Sequence, residues 1–118
     1  MFTLVPYEVQ DDNDSIFYIL LVDDEENIAG YIGVFRHPED AHGAEVHLEI
    51  VEKWQKRWLT KGLKSRILNL LIECSKICNI ETLYSVALTP ISPRLLEFFE
   101  FQEYFNIIPK RFYYMEVN

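Results

Sequence analysis

The sequence predicts an α/β sandwich whose first half is antiparallel and whose second half crosses over through a long helix. Three observations predict it. Strand-length runs rich in β-branched and aromatic residues fill the first third, each closed by a polar turn cluster. Residues 44–51 alternate strictly, with Ala44, Val46, Leu48 and Ile50 on one face and Glu45, His47, Glu49 and Val51 on the other. The period then changes: Leu59, Leu63, Ile67, Leu70, Leu71, Cys74 and Ile77 draw an apolar stripe at helical spacing.

Taken in order, residues 2–8 form a short first strand, ended by the polar cluster Asp11-Asp12-Asn13-Asp14. Residues 15–22 (SIFYILLV) read as a buried strand. The acidic turn Asp23-Asp24-Glu25-Glu26-Asn27 returns the chain as the hairpin arm 28–36 (IAGYIGVFR). His37-Pro38-Glu39-Asp40, followed by Gly43, makes the loop before the alternating strand. The helix runs over about 59–78, and residues 82–89 (TLYSVALT) are a strand stopped by Pro90. Ser92-Pro93 reads as a cap with proline at the first helical position, giving a short helix from 93 to about 101. Pro109 precedes the last strand, 111–117. The predicted order is β-β-β-β-α-β-α-β in one domain over residues 1–118.

Composition limits the functions open to such a domain. At 118 residues, with 49% hydrophobic and 25% charged residues, the chain builds one hydrophobic core and is not disordered. The longest apolar run, 16–22, is far short of a membrane span, and the N-terminus lacks a basic leader, so a cytoplasmic protein with no membrane partner is expected. A formal charge of −8 argues against nucleic-acid binding. Cys74 and Cys78 read as two buried thiols on one helical face, with too few ligands for zinc. His37, His42 and His47 recur every five residues across a loop and a strand, with no element to gather three imidazoles, and no metal site is expected.

The distribution of charge says more than its sum. Thirteen of the 19 acidic residues lie at or before Glu52. Lys53, Lys56, Arg57, Lys61, Lys64 and Arg66 then follow within fourteen positions that hold no acid. Such a run is either a solvated face or an anion site. A strand, a basic loop with Gly62, a long helix and another strand suit a phosphorylated ligand, because a helix start offers unpaired N–H groups and a positive dipole end. Trp54 and Trp58 either stack on an adenine or, more simply, pack the loop onto the core.

The strand at 44–51, the run W-L-T-K-G-L-K-S-R-I-L over 58–68, the strand at 82–89 and S-P-R-L-L-E-F-F-E-F-Q-E-Y over 92–104 together resemble the core of GNAT-type N-acetyltransferases. The resemblance covers about residues 15–117 and rests on the order of elements. The triplet Glu45-Val46-His47 is also similar to GNAT-like proteins of phage genomes. In the family a strand leads into an R/Q-x-x-G-x-G/A loop whose amides hold the CoA pyrophosphate. Here Gly62 matches the first glycine, with Leu59 and Lys64 at the other two signature positions. In the family's second region, Ser92 stands for an asparagine, Phe99 for the tyrosine that protonates the thiolate, and Glu103-Tyr104 for Gly-Phe. The family's two N-terminal helices have no counterpart before Ser15.

The resemblance implies a GNAT-like mixed sheet with flanking helices and with the N-terminal helices reduced or absent. It implies acetyl-CoA as co-substrate, held by Ile50, Val51, Leu59, Thr60, Lys61, Gly62, Leu63 and Lys64, with the N–H near Val51 polarising the thioester. The acceptor is an amine of a small molecule or a protein. Glu49 or His47 is the implied base, with Glu45 beside them, and Tyr104 or Tyr84 the replacement acid. A second reading keeps the fold without turnover, as an interaction or structural protein binding a protein partner. The aromatic segments Phe98-Phe99-Glu100-Phe101 and Phe112-Tyr113-Tyr114 serve either the core or a homodimer surface.

Overall fold

The computed structural model describes residues 2–8, 14–55, 57–87 and 91–117. Seven strands share one mixed sheet: β1 (Thr3–Glu8), β2 (Ser15–Val22), β3 (Ile28–Arg36), β4 (Gly43–Ile50), β5 (Thr82–Ala87), β6 (Gln102–Ile107) and β7 (Lys110–Glu116). Their spatial order is β1-β2-β3-β4-β5-β7-β6, antiparallel throughout except where β5 joins β4. Helix α1 (Lys61–Ile77) makes the crossover that a parallel pair requires, and α2 (Ile91–Phe98) links β5 to β6.

Local sequence explains the joints. Asp23 closes the β2–β3 hairpin by accepting the N–H groups of Glu25 and Asn27 on Oδ1, both at 2.9 Å. These bonds, the one from Asn27 foremost, hold its carboxyl below the usual aspartate range. Thr60 caps α1 by accepting the Leu63 N–H on Oγ1 at 3.1 Å. Past the end of α1 at Ile77, Asn79 takes a φ of 60°, which suits asparagine, and Ile80 N–H returns to Ser75 O at 2.8 Å.

Register and burial sort the sheet into two unlike faces. One carries Phe17, Ile19, Leu21, Ile32, Val34, Ala44, Leu83, Tyr113 and Met115, all buried together with Leu63, Ile67, Leu68 and Leu71 of α1. Phe99, just past α2, stacks on Trp58 on the same side, with ring centroids 6.5 Å apart. The other face carries Tyr7, Tyr18, Tyr31, Phe35, Glu45, His47, Glu49, Tyr84, Phe112 and Tyr114, none of them buried. Among the described residues, neither helix covers it.

Several expectations need correction. Strand β6 is absent from the predicted order, because QEYFNI is exposed at all six positions and shows no alternation. Helix α2 begins at Ile91, so Ser92 and Pro93 lie in its first turn rather than forming cap and first position. Cys74 and Cys78 are half-buried rather than buried, and the burial of Cys74 raises its thiol pKa. Residues 11–13 of the polar cluster, Lys56 and the 88–90 end of the predicted strand lie outside the described residues. No described helix is long and apolar enough to cross a membrane.

Candidate active site

The sheet opens at its one parallel joint. Gly43, Ala44 and Glu45 pair with Thr82, Leu83 and Tyr84, and β4 and β5 part beyond them. Val51 N–H donates to Ala29 O at 2.8 Å. Bonded pairs alternate along an antiparallel ladder, so Glu45, His47 and Glu49 bond to β3 while Val46, Leu48 and Ile50 turn N–H and C=O toward the gap. Ser85 Oγ donates to Val46 O at 3.0 Å, and Gln55 Nε2 to Ile50 O at 3.2 Å. The Leu48 peptide and the Ile50 N–H face the gap with no partner among the described residues. Val51 N–H is itself engaged, so the open amides near Val51 are those of Leu48 and Ile50.

The gap widens into a cleft of about 660 Å³ that passes through the sheet. Val46, Leu48, Leu95 and Leu96 give it an apolar side. Tyr31, Glu45, His47, Glu49, Tyr84 and Tyr104 give it an acidic and aromatic side. The four candidate catalytic residues thus share one cavity. His47 Nε2 lies 3.5 Å from Glu45 Oε2, and its ring meets Phe35 edge-on at 5.0 Å. Glu49 is hydrogen-bonded by the Tyr31 hydroxyl, and that bond raises the Tyr31 pKa.

Tyr84 and Tyr104 are now distinguishable as acids. Tyr84 OH donates to Asp40 Oδ2 at 2.7 Å, and this bond leads the causes that push its pKa up to about 12. Such a phenol holds its proton against a thiolate. Tyr104 has no hydrogen bond among the described residues and sits 6.2 Å, ring to ring, from Tyr84. Phe99 is a core residue stacked on Trp58, so the side chains that α2 presents to the cleft are Leu95 and Leu96.

The Asp40–Tyr84 bond also fixes the vertex of the cleft. His37 Nδ1 accepts the N–H groups of Glu39 and Asp40, both at 3.1 Å, and its ring lies 4.4 Å from Tyr84. A Cβ on Gly43 would come within 2.6 Å of the Tyr84 ring and 2.7 Å of Asp40 Oδ2, so only glycine fits beneath the pair. The bond holds the Asp40 carboxyl below its ordinary range and the Tyr84 phenol above its own. Its stabilisation is therefore present between pH 3.8 and 10, lost on the acid side as pH falls through the lowered Asp40 pKa, and on the basic side through about 12. Tyr84→Phe is expected to lose about 1–2 kcal/mol at neutral pH, the low range for a half-exposed charged bond. Urea denaturation should show that deficit shrinking below pH 3.8; a deficit constant with pH would sink the assignment.

The predicted anion site is smaller than the basic cluster. Lys53 and Arg57 lie over the Trp54 ring, at 5.5 and 4.9 Å, and Arg66 donates to Phe2 O at 3.1 Å. These three line a pocket shared with Asp23, Asp24 and Glu25. Trp54 meets Phe2 edge-on at 4.9 Å, so both tryptophans pack the loop onto the body of the protein. At the helix start, the amides of Leu63 and Lys64 are bonded to Thr60, which leaves those of Lys61 and Gly62. A Cβ on Gly62 would meet nothing within 4 Å, so the approach to its backbone is open. A second pocket, lined by Leu59, Thr60, Lys61, Arg94, Leu95 and Phe98, meets the cleft at Leu95. Lys64 Nζ lies 4.7 Å over the Phe98 ring beside it. Arg94 had no signal in the sequence, since it is separated from the basic run by 27 positions that include a whole strand.

No family model and no curated protein matches the sequence. Solved structures do. A chimera of the Vibrio cholerae spermidine N-acetyltransferase with hSSAT superposes with a TM-score of 0.68 at 16% identity, over 90% of this chain and 68% of that one. The Vibrio cholerae enzyme in complex with CoA and spermine gives 0.66 at 18% identity, over 89% and 67%. A protein assigned to the GNAT acetyltransferases from Desulfovibrio desulfuricans gives 0.67 at 15%, over 86% and 69%. The chain has the GNAT fold. The parting of β4 and β5 and the open start of α1 include Ile50 and Leu59 to Gly62, residues that the sequence resemblance assigns to acetyl-CoA. The residues fit it: an unpaired β4 edge, an apolar channel past Leu95, and Lys61, Lys64 and Arg94 at its far end.

Proposed function

We propose that this protein is an N-acetyltransferase that moves an acetyl group from acetyl-CoA to an amine. The observation that carries the reading is the unpaired β4 edge, which opens at one end onto Glu49 and His47 and at the other onto the basic helix start. Acetyl-CoA supplies an activated acyl carbon. Leu48 and Ile50 offer amides to it, and the Lys61 and Gly62 amides with Lys61, Lys64 and Arg94 side chains hold its phosphates. Glu49 takes a proton from the acceptor ammonium, assisted by His47 and Glu45. The freed amine forms a C–N bond as the C–S bond breaks; Tyr104 gives a proton to the sulfur, and the second proton shed by the nitrogen as it becomes an amide restores the Tyr104 phenol through solvent. The complex of the Vibrio cholerae enzyme with CoA and spermine supports both halves of the reading.

Titration of acetyl-CoA into the protein tests it. At a hundredfold excess over Kd, bound ligand stabilises the native state by about 2.7 kcal/mol. For a domain of this size that raises Tm by roughly 10 °C. No shift at millimolar acetyl-CoA would remove the enzyme reading. Binding without transfer to any amine would leave a CoA-binding interaction protein.

A further inference from the structure

The sheet face that no described helix covers is the acceptor side of the cleft, and its chemistry is specific. Tyr7, Tyr18, Tyr31 and Phe35 lead across β1, β2 and β3 to Glu45, His47 and Glu49, and Phe112 and Tyr114 continue beyond the gap. The rings touch in series: Tyr18 meets Tyr31 at 5.5 Å and Phe35 at 5.8 Å, and Phe35 meets His47 at 5.0 Å. At about 4.8 Å per strand, this stripe crosses roughly 25–30 Å of surface.

We infer that the acceptor amine belongs to a basic, extended polypeptide segment laid across this open face, with one lysine side chain entering the cleft at Glu49. The inference rests on the acetyltransferase reading above. Two features select the occupant. The first is concavity. A small-molecule site buries most of its ligand, whereas the His47 and Glu45 side chains here are 60% and 37% exposed, and among the described residues no helix lies over them. The second is charge. Among the described residues, the cleft is lined by Glu39, Glu45 and Glu49 and by no lysine or arginine. A second copy of this chain would set those carboxylates against their own images. A basic segment pairs with them, its lysine and arginine groups lie over aromatic faces, and the net charge of −8 steers it in.

The test uses the whole chain and three probes: a lysine-rich synthetic peptide of about a dozen residues, a glutamate-rich peptide with a single lysine, and a small aliphatic polyamine. Calorimetry measures binding, and release of the CoA thiol measures transfer. The expected result is that the basic peptide binds, weakens with added salt, and exceeds the polyamine at least tenfold in kcat/KM. Tyr7→Lys and Tyr18→Lys, on the face but outside the cleft, should raise KM for that peptide about tenfold and leave kcat and the polyamine kinetics unchanged. Polyamine turnover equal to or above that of the basic peptide overturns the inference, as does failure of the basic peptide to bind at millimolar concentration. Tyr7 is 58% exposed, so its variant keeps the assay interpretable if Tyr18→Lys does not fold. Acetyl-CoA binding, read separately by thermal shift, shows whether the acetyltransferase reading has failed instead.

Discussion

Glu49→Gln is expected to keep the fold and lower the rate of acetyl transfer by about 10²–10⁴-fold, the usual range for loss of a positioned general base. Glu49 is exposed on β4, and its bond from the Tyr31 hydroxyl survives in an amide, whose oxygen still accepts. Stability should therefore change by less than about 0.5 kcal/mol. Acetyl-CoA affinity should also hold, because the amides that face the gap belong to Leu48 and Ile50. On the proposed reading, what disappears is the carboxylate that takes the ammonium proton. His47→Ala should fall less, since it removes an assisting ring. Release of free thiol, followed across the pH range, distinguishes the cases: a base variant recovers at high pH, where the amine is already neutral. Wild-type rates in both variants would dismiss the base assignment.

The largest effect on stability is expected at Leu83. It has no exposed surface, pairs with Ala44 on β4 and Met115 on β7, and sits in the three-residue joint between the sheet's two parts. Leu83→Ala removes buried methyl groups and leaves a cavity that neighbours cannot fill without parting that joint. The cost should be about 2–5 kcal/mol, a large share of the roughly 5–15 kcal/mol that typically holds a domain folded. Urea denaturation at neutral pH measures it. A loss below about 1 kcal/mol would mean that the joint repacks freely.

Sequence periodicity disclosed most of the fold because most elements are half-buried. Strands β2 and β3 have the predicted limits, since apolar residues and turn clusters mark both ends. The helix stripe overruns α1 by two residues at its start, where Thr60 turns out to cap. Strand β6 left no trace because an edge strand exposed on both sides needs no pattern. In the site, alternation on β4 placed Glu45, His47 and Glu49 together. It could not reveal that Tyr84 and Asp40, 44 positions apart, are hydrogen-bonded. Nor could composition show that the basic run divides, with Lys53, Arg57 and Arg66 facing the acidic turn and Lys61 and Lys64 facing α2. Those divisions depend on which side of a helix start each residue leaves, and tertiary packing decides that.

The short parallel joint has a consequence for the protein's lifetime. Two halves of a sheet linked by three residue pairs resemble a book with a partly stitched spine. A ligand lying along the open edge of β4 adds stitches that the chain itself does not supply. On the proposed reading, acetyl-CoA is then a folding partner as well as a reactant, and cells rich in it keep more of this protein intact. Loss of acetyl-CoA would then lower the stability of the fold itself, and that coupling needs no regulatory site.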